Sequence, residues 1–216
     1  MSQSLFTKEE VLQIKNAVVE AEKLSGGEIV PVISKQSSWY EQTLWRAGAL
    51  FSLLTAIILT TFYLSSDALL WLPPYLWLLI CTTGGIAGAT IAESLPFVKR
   101  FFISAESLRQ QAEGKAKQLF VEQSISQTEQ RTGILLYISF FEKHASILPD
   151  IGISEVVEQQ VWDDILQQLV NDMRTSSYAA AISHAIISCG KVLEESGIQK
   201  AVDDDNELPN KVHIDE

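Results

Sequence analysis

Cationic residues are scarce in this chain, whose 216 residues hold 16 Lys and Arg against 27 Asp and Glu, a formal net charge of −11. Nucleic-acid binding is disfavoured on that ground, because displacing counterions from phosphates needs clustered Lys and Arg. Cysteine is equally sparse. Cys81 lies inside an apolar block and Cys189 far outside it, which argues against a disulfide, and no CxxC or Cys/His spacing offers a metal site. No G-x-S-x-G, Walker loop or Rossmann glycine fingerprint occurs, and His144, His184 and His213 stand isolated. Ser183 and His184 are adjacent on a predicted helix and so point to different faces. A cleavable signal peptide is not expected, since the N-terminal segment is amphipathic and charged and the first apolar run begins near residue 44.

What the chain does have is that apolar block. Leu44 to Leu64 carries Arg46 near its start and no other charge, and about 21 residues at 1.5 Å rise cover the ~30 Å hydrocarbon core of a bilayer. A second run starts at Pro73-Pro74, where a missing N–H does no harm at a helix start, and continues uncharged to Glu93. The expected element is a transmembrane hairpin over 44–98, with spans at about 44–64 and 74–94. Trp39, Tyr40 and Trp45 flank one end, and Tyr63, Trp71, Tyr75 and Trp77 surround the connection, where aromatic belts belong. Lys35, Arg46, Lys99 and Arg100 lie on one side and only Asp67 lies in the connection, so the positive-inside rule puts both termini in the cytoplasm. Gly84, Gly88 and Ala92 recur every fourth residue, a stripe for close helix approach. It could form a homodimer face or pack on the chain's own first span. A pore or carrier is not expected, because no ionisable group lies deep in either span.

The flanks read as one soluble domain split by the hairpin, residues 1–43 and 99–216. Thr7-Lys8-Glu9-Glu10 is a capping box before an apolar stripe of Val11, Ile14, Val18 and Ala21. Glu28 to Ser34 reads as a strand in which Pro31 suggests an edge or a bulge. Beyond the hairpin a polar helix is expected from Ala105 to about Ser124, then a covered central strand, Gly133 to Phe141, and an adjoining strand, Glu142 to Leu148. Pro149 to Gly152 turns the chain, and helices follow over Val156 to Met173 and Tyr178 to Glu195. The remainder, with Asp203-Asp204-Asp205-Asn206-Glu207, is an acidic extended tail that lacks the glycine of an EF-hand loop and docks through Leu208. A lone strand before the hairpin is not stable by itself, so it must pair with strands after it, which places both flanks on one side of the membrane.

The ordered set Phe6-Thr7, Ala21-Glu22, Ser25 to Val32, Arg131 to Ser139, Ile147 to Ile153, Trp162 and Asp205 to Pro209 resembles the TPM domain family. The resemblance is to the bacterial membrane-protein branch, whose domain is interrupted by a transmembrane pair. It implies an α/β/α sandwich with a short mixed sheet. It also implies two functional classes, since some members look like acid phosphatases or calcium binders and others like assembly or repair factors for membrane complexes. One departure bears on this choice: where the family pattern has Gly before the Asp, this chain has Pro149-Asp150, which loses a backbone donor and conformational freedom. Asp150, Glu28 and Glu142 are the candidate ligands for a Ca²⁺ or Mg²⁺ ion, with solvated or turn-forming carboxylates as the alternative. No catalytic residue and no organic cofactor is expected. The favoured reading is a membrane-anchored interaction or assembly module with an unknown membrane-protein partner, and the alternative is a metal-assisted acid phosphatase or calcium-binding domain.

Overall fold

A computed structural model describes residues 5–65, 73–128, 130–198 and 212–215. Within it the chain forms two compact units, residues 1–38 with 109–216, and residues 39–108.

The first unit is built on a four-stranded mixed sheet. Its strands are β1 (Glu28–Ser34), β2 (Gly133–Ser139), β3 (His144–Pro149) and β4 (His213–Asp215), ordered β3-β2-β1-β4. β1 runs parallel to β2 through its whole length, from Glu28 opposite Gly133 to Ser34 opposite Ser139. The strand before the apolar hairpin therefore does pair with one after it. β3 returns antiparallel on β2, and β4 lies parallel to β1 from Val32 to Ser34. β4 emerges from the segment expected only to be extended, whereas the Asp203–Glu207 run and Leu208 lie outside the described residues. Pro31 falls just before the β4 pairing begins, so among the described residues β1 is paired on both sides only from Val32 to Ser34.

Alternation along the strands feeds two cores. Ile29, Ile33, Ile134, Leu136, Ile138 and Ile147 face one layer of helices: α1 (Lys8–Leu24), α7 (Gln159–Thr175) and α8 (Tyr178–Glu195). Val30, Val32, Leu135 and Tyr137 face the other way, onto Ala112, Ala116 and Leu119 of α5 (Ala105–Glu122) and Ile125 of the 3₁₀ turn that follows. The period-two register thus produces an α/β/α sandwich, in which the central strands β1 and β2 are covered on both faces. α1 starts as its capping box dictates: Thr7 Oγ1 accepts from the Glu10 amide at 3.2 Å and Glu10 Oε2 accepts from the Thr7 amide at 2.8 Å. α8 packs on α1 backbone to backbone at Gly190, where a Cβ would lie 2.8 Å from Ala21 Cα.

Several boundaries differ from expectation: β3 begins at His144 rather than Glu142, and α7 at Gln159 rather than Val156. β2 ends at Ser139 rather than Phe141, and residues 140–143 form a turn in which Lys143 has a positive φ of 52°. The turn expected at 149–152 tightens into a one-turn helix, α6 (Ile151–Ser154), with Asp150 as its N-cap.

The second unit holds the apolar helices α2 (Gln42–Ser65) and α3 (Pro74–Ser94), each long and apolar enough to cross a membrane. Their most apolar windows are only 6% and 17% buried, which separates them from the core helix of a soluble protein. Six of their threonine hydroxyls are satisfied by the helix's own backbone, as a lipid environment would require. Thr55, Thr60 and Thr61 each donate to the carbonyl four residues back at 2.8 Å, and Thr82, Thr83 and Thr90 to the carbonyl three back at 2.8–2.9 Å. Tyr63 and Trp77 stack edge-on, with centroids 5.5 Å apart, near the connection. Trp71, Asp67 and Ser66 lie outside the described residues. The helices are interlocked by the glycine stripe: a Cβ on Gly84 would meet Thr55 Oγ1 at 2.3 Å, and one on Gly88 would meet Phe51 at 2.3 Å. Gly84 and Gly88 of the stripe thus lie against the chain's own α2. A short helix, α4 (Pro96–Phe101), follows α3.

Candidate functional site

The residues of chemical interest collect at the two ends of the sheet. At the end where β1 and β2 begin, Asp150 follows the last residue of the edge strand β3, a place where proline is tolerated. Its amide donates to the Gly133 carbonyl at 2.9 Å, and Glu28 lies opposite the same Gly133. The Asp150 carboxylate is buried, and its oxygens are committed. Oδ1 accepts from the Ile151 amide at 2.8 Å and from Arg131 Nη2 at 3.2 Å, while Oδ2 accepts from Arg131 Nε at 2.7 Å. This two-pronged pairing is the geometry a guanidinium offers a carboxylate. Asp150 in turn holds the Arg131 guanidinium above its ordinary pKa, through hydrogen bonding first and charge second. Arg131 takes a positive φ of 56°, and this backbone kink lies just before β2.

At the opposite end, where the parallel strands finish, lies the second cluster. Open α/β sheets place their ligands outside the carboxyl ends of the strands, so this edge is the natural one to inspect. Glu142 is buried, accepting from the Ser37 amide at 3.0 Å and from the Ser139 hydroxyl. The Tyr137 hydroxyl shares a hydrogen bond with Ser37 Oγ at 2.8 Å, and Ser34 Oγ donates to the Gln36 carbonyl at 3.1 Å. Burial pushes the Tyr137 phenol above its usual value, with the neighbouring serines opposing that shift. Ser34, Tyr137, Ser139 and Glu142 are each at most 4% exposed, and Gln36 and Ser37 are half-buried.

The three candidate metal ligands do not converge. Glu28 and Asp150 share one end of the sheet, but Glu142 lies past the far end of β2, six residue steps or about 20 Å away at strand rise. Among the described residues no group of three or more His, Cys, Asp or Glu could hold a metal ion. Arg131, not singled out from sequence, is the salt-bridge partner of Asp150. The signal lay in its place two residues before the strand, but no local spacing links positions 131 and 150.

His144 opens β3 with its Nε2 buried and without a hydrogen-bond partner. Burial pushes its pKa below the ordinary value, and Arg109 acts in the same direction, while Glu113 and Glu142 oppose. An unfolded imidazole takes up its proton near pH 6.5 and this one only below that, so protons favour the unfolded chain. Stability should therefore fall as the pH drops below about 6.5, and His144→Gln should flatten that slope. Denaturation midpoints at neutral and mildly acidic pH measure this, and an unchanged slope in the variant would assign the loss to other groups.

Residues 100–192 match the family model of the TPM domain, so the resemblance read from the sequence holds over that stretch. The NMR structure of the BA42 protein from the psychrophilic bacterium Bizionia argentinensis is similar in fold, with a TM-score of 0.60 at 18% identity over 99% of this chain and 98% of that one. No curated protein matches the chain.

Proposed function

We propose that this TPM-like chain is a membrane-anchored, non-catalytic module whose soluble domain engages a membrane-protein partner on the cytoplasmic side. The observation that carries the reading is the state of its carboxylates: Asp150 is spent on Arg131 and a helix cap, and Glu142 on Ser37 and Ser139. A hydrolase would need a nucleophile, from a side chain or from metal-bound water, and the groups that activate it facing one open space. The contrary reading, a metal-assisted phosphatase or calcium-binding domain, draws on the family resemblance. Metal-dependent release of phosphate from a phosphomonoester by the purified chain would replace the first reading with the second.

Anchoring rests on two apolar helices of about 36 Å and 30 Å, against a hydrocarbon core of ~30 Å, with six of their threonine hydroxyls satisfied internally. Orientation rests on Lys35, Arg46, Lys99 and Arg100 flanking one side. In a chain with Cys81 and Cys189 replaced, a cysteine at Ser66 should react with an impermeant thiol reagent in intact cells, and one at Ser4 should not. The reverse labelling pattern would turn the domain to the outside.

A further inference from the structure

We infer that α4 is an in-plane helix that inserts Phe97 and Phe101 into the boundary between headgroups and acyl chains, setting the depth of the hairpin in its leaflet. The inference rests on the proposal that α2 and α3 cross the bilayer. The helix of α3 breaks at Leu95, which is extended at φ −113° and ψ 103°, and Pro96 starts α4 at once. α4 has six residues, about 9 Å of helix, which matches the 8–10 Å between the axes of packed helices. It is tied at both ends. Lys99 Nζ pairs with Glu93 Oε1 at 3.1 Å, near the end of α3, and Arg46 Nη1 donates to the Phe102 carbonyl at 3.1 Å, near the start of α2. Since α2 and α3 are antiparallel neighbours, these ties carry α4 from the end of one helix to the start of the other. A helix so placed across the mouth of a spanning hairpin lies along the membrane plane.

Its two faces differ accordingly. Lys99 is 4% exposed, whereas Phe97 and Phe101, one turn apart and thus on the same side, are 85% and 79% exposed. Trp45, beside Arg46, is 82% exposed. Bare phenyl rings and an indole at the end of a spanning hairpin suit the interfacial layer, where amphipathic helices bury an apolar face about 5–10 Å deep. The occupant is therefore lipid of the same leaflet, continuous with the lipid around α2 and α3.

Depth-dependent quenching tests this. The full chain, carrying Cys81→Ala and Cys189→Ala, is labelled with an environment-sensitive fluorophore at Phe101→Cys, at Phe97→Cys in a second variant, and at Ile57→Cys in mid-span. Each is reconstituted into phosphatidylcholine vesicles. The expected result is that positions 97 and 101 lose more fluorescence to a nitroxide near the head of the acyl chain than to one near its tail, with little loss to aqueous iodide. Position 57 should show the opposite acyl preference. Iodide quenching at 97 and 101 with lipid quenching at 57 would overturn the α4 inference and leave the spanning hairpin standing. Protection from both iodide and lipid nitroxides at 97 and 101 would also overturn it, by showing protein over that face. Absence of lipid quenching at 57 would remove the spanning reading and the inference together.

Discussion

Trp162→Ala is expected to lower the stability of the soluble domain by about 3–5 kcal/mol, the usual cost of emptying a buried aromatic site. Trp162 heads the large, fully buried side chains at 1% exposure and sits on the inner face of α7 with Ile165 and Leu169. α7 packs against α8 and β3, and Trp162 belongs to the core they share. Against a total stability of about 5–15 kcal/mol, such a loss leaves the domain marginal. The indole Nε1 is buried with no hydrogen-bond partner. Trp162→Phe should therefore cost less than its lost volume implies, since it also removes a desolvated donor. Chemical denaturation of the chain in mild detergent measures both, and an Ala variant as stable as the parent would show that α7 is not part of this core.

Asp150→Ala separates the two readings of the site. If Asp150 is the cap of α6 and the partner of Arg131, the substitution destabilises the chain in the complete absence of divalent ions. The cap alone is worth about 1–2 kcal/mol, and the loss of the guanidinium contacts adds to it. Arg131→Ala should lower stability in the same conditions, and the double variant should lose less than the sum of the two, as interacting residues do. Asp150→Asn keeps an oxygen for the Ile151 amide and should fall in between. Were Asp150 instead a vacant metal ligand, its removal would relieve repulsion among carboxylates, and the metal-free chain would hold or gain stability.

The split domain is the part of the fold most plainly written in the residues. A single strand, Glu28 to Ser34, cannot satisfy its own backbone, and the parallel ladder to β2 follows from that requirement. The Thr7–Glu10 box and the long apolar stripes of α7 and α8 were equally direct. β4 escaped notice because three residues after an acidic run show no alternation, and their partner is the last three residues of β1, far away in sequence. The end of β2 was hidden by Phe140 and Phe141, which continue the apolar run into a turn whose positive-φ residue is Lys143 rather than glycine. The small-residue stripe of α3 is ambiguous in principle, since Gly84 and Gly88 admit a helix of the same chain or of another. At the site, Asp150 was recognisable as a strand-end carboxylate, but its salt bridge depends on β2 and β3 closing their ladder and bringing residue 131 beside it.

Calorimetric titration of the full-length chain with calcium, beside its Asp150→Asn variant, tests most directly whether this domain is an interaction module rather than a metal-dependent enzyme. A calcium site gathers about six to eight oxygens at 2.3–2.6 Å, and Asp150 already spends both of its oxygens on Arg131 and Ile151. The expected result is weak binding, with the same heat in the parent and the variant. Tight binding by the parent that vanishes in Asp150→Asn would contradict it and make Asp150 a ligand.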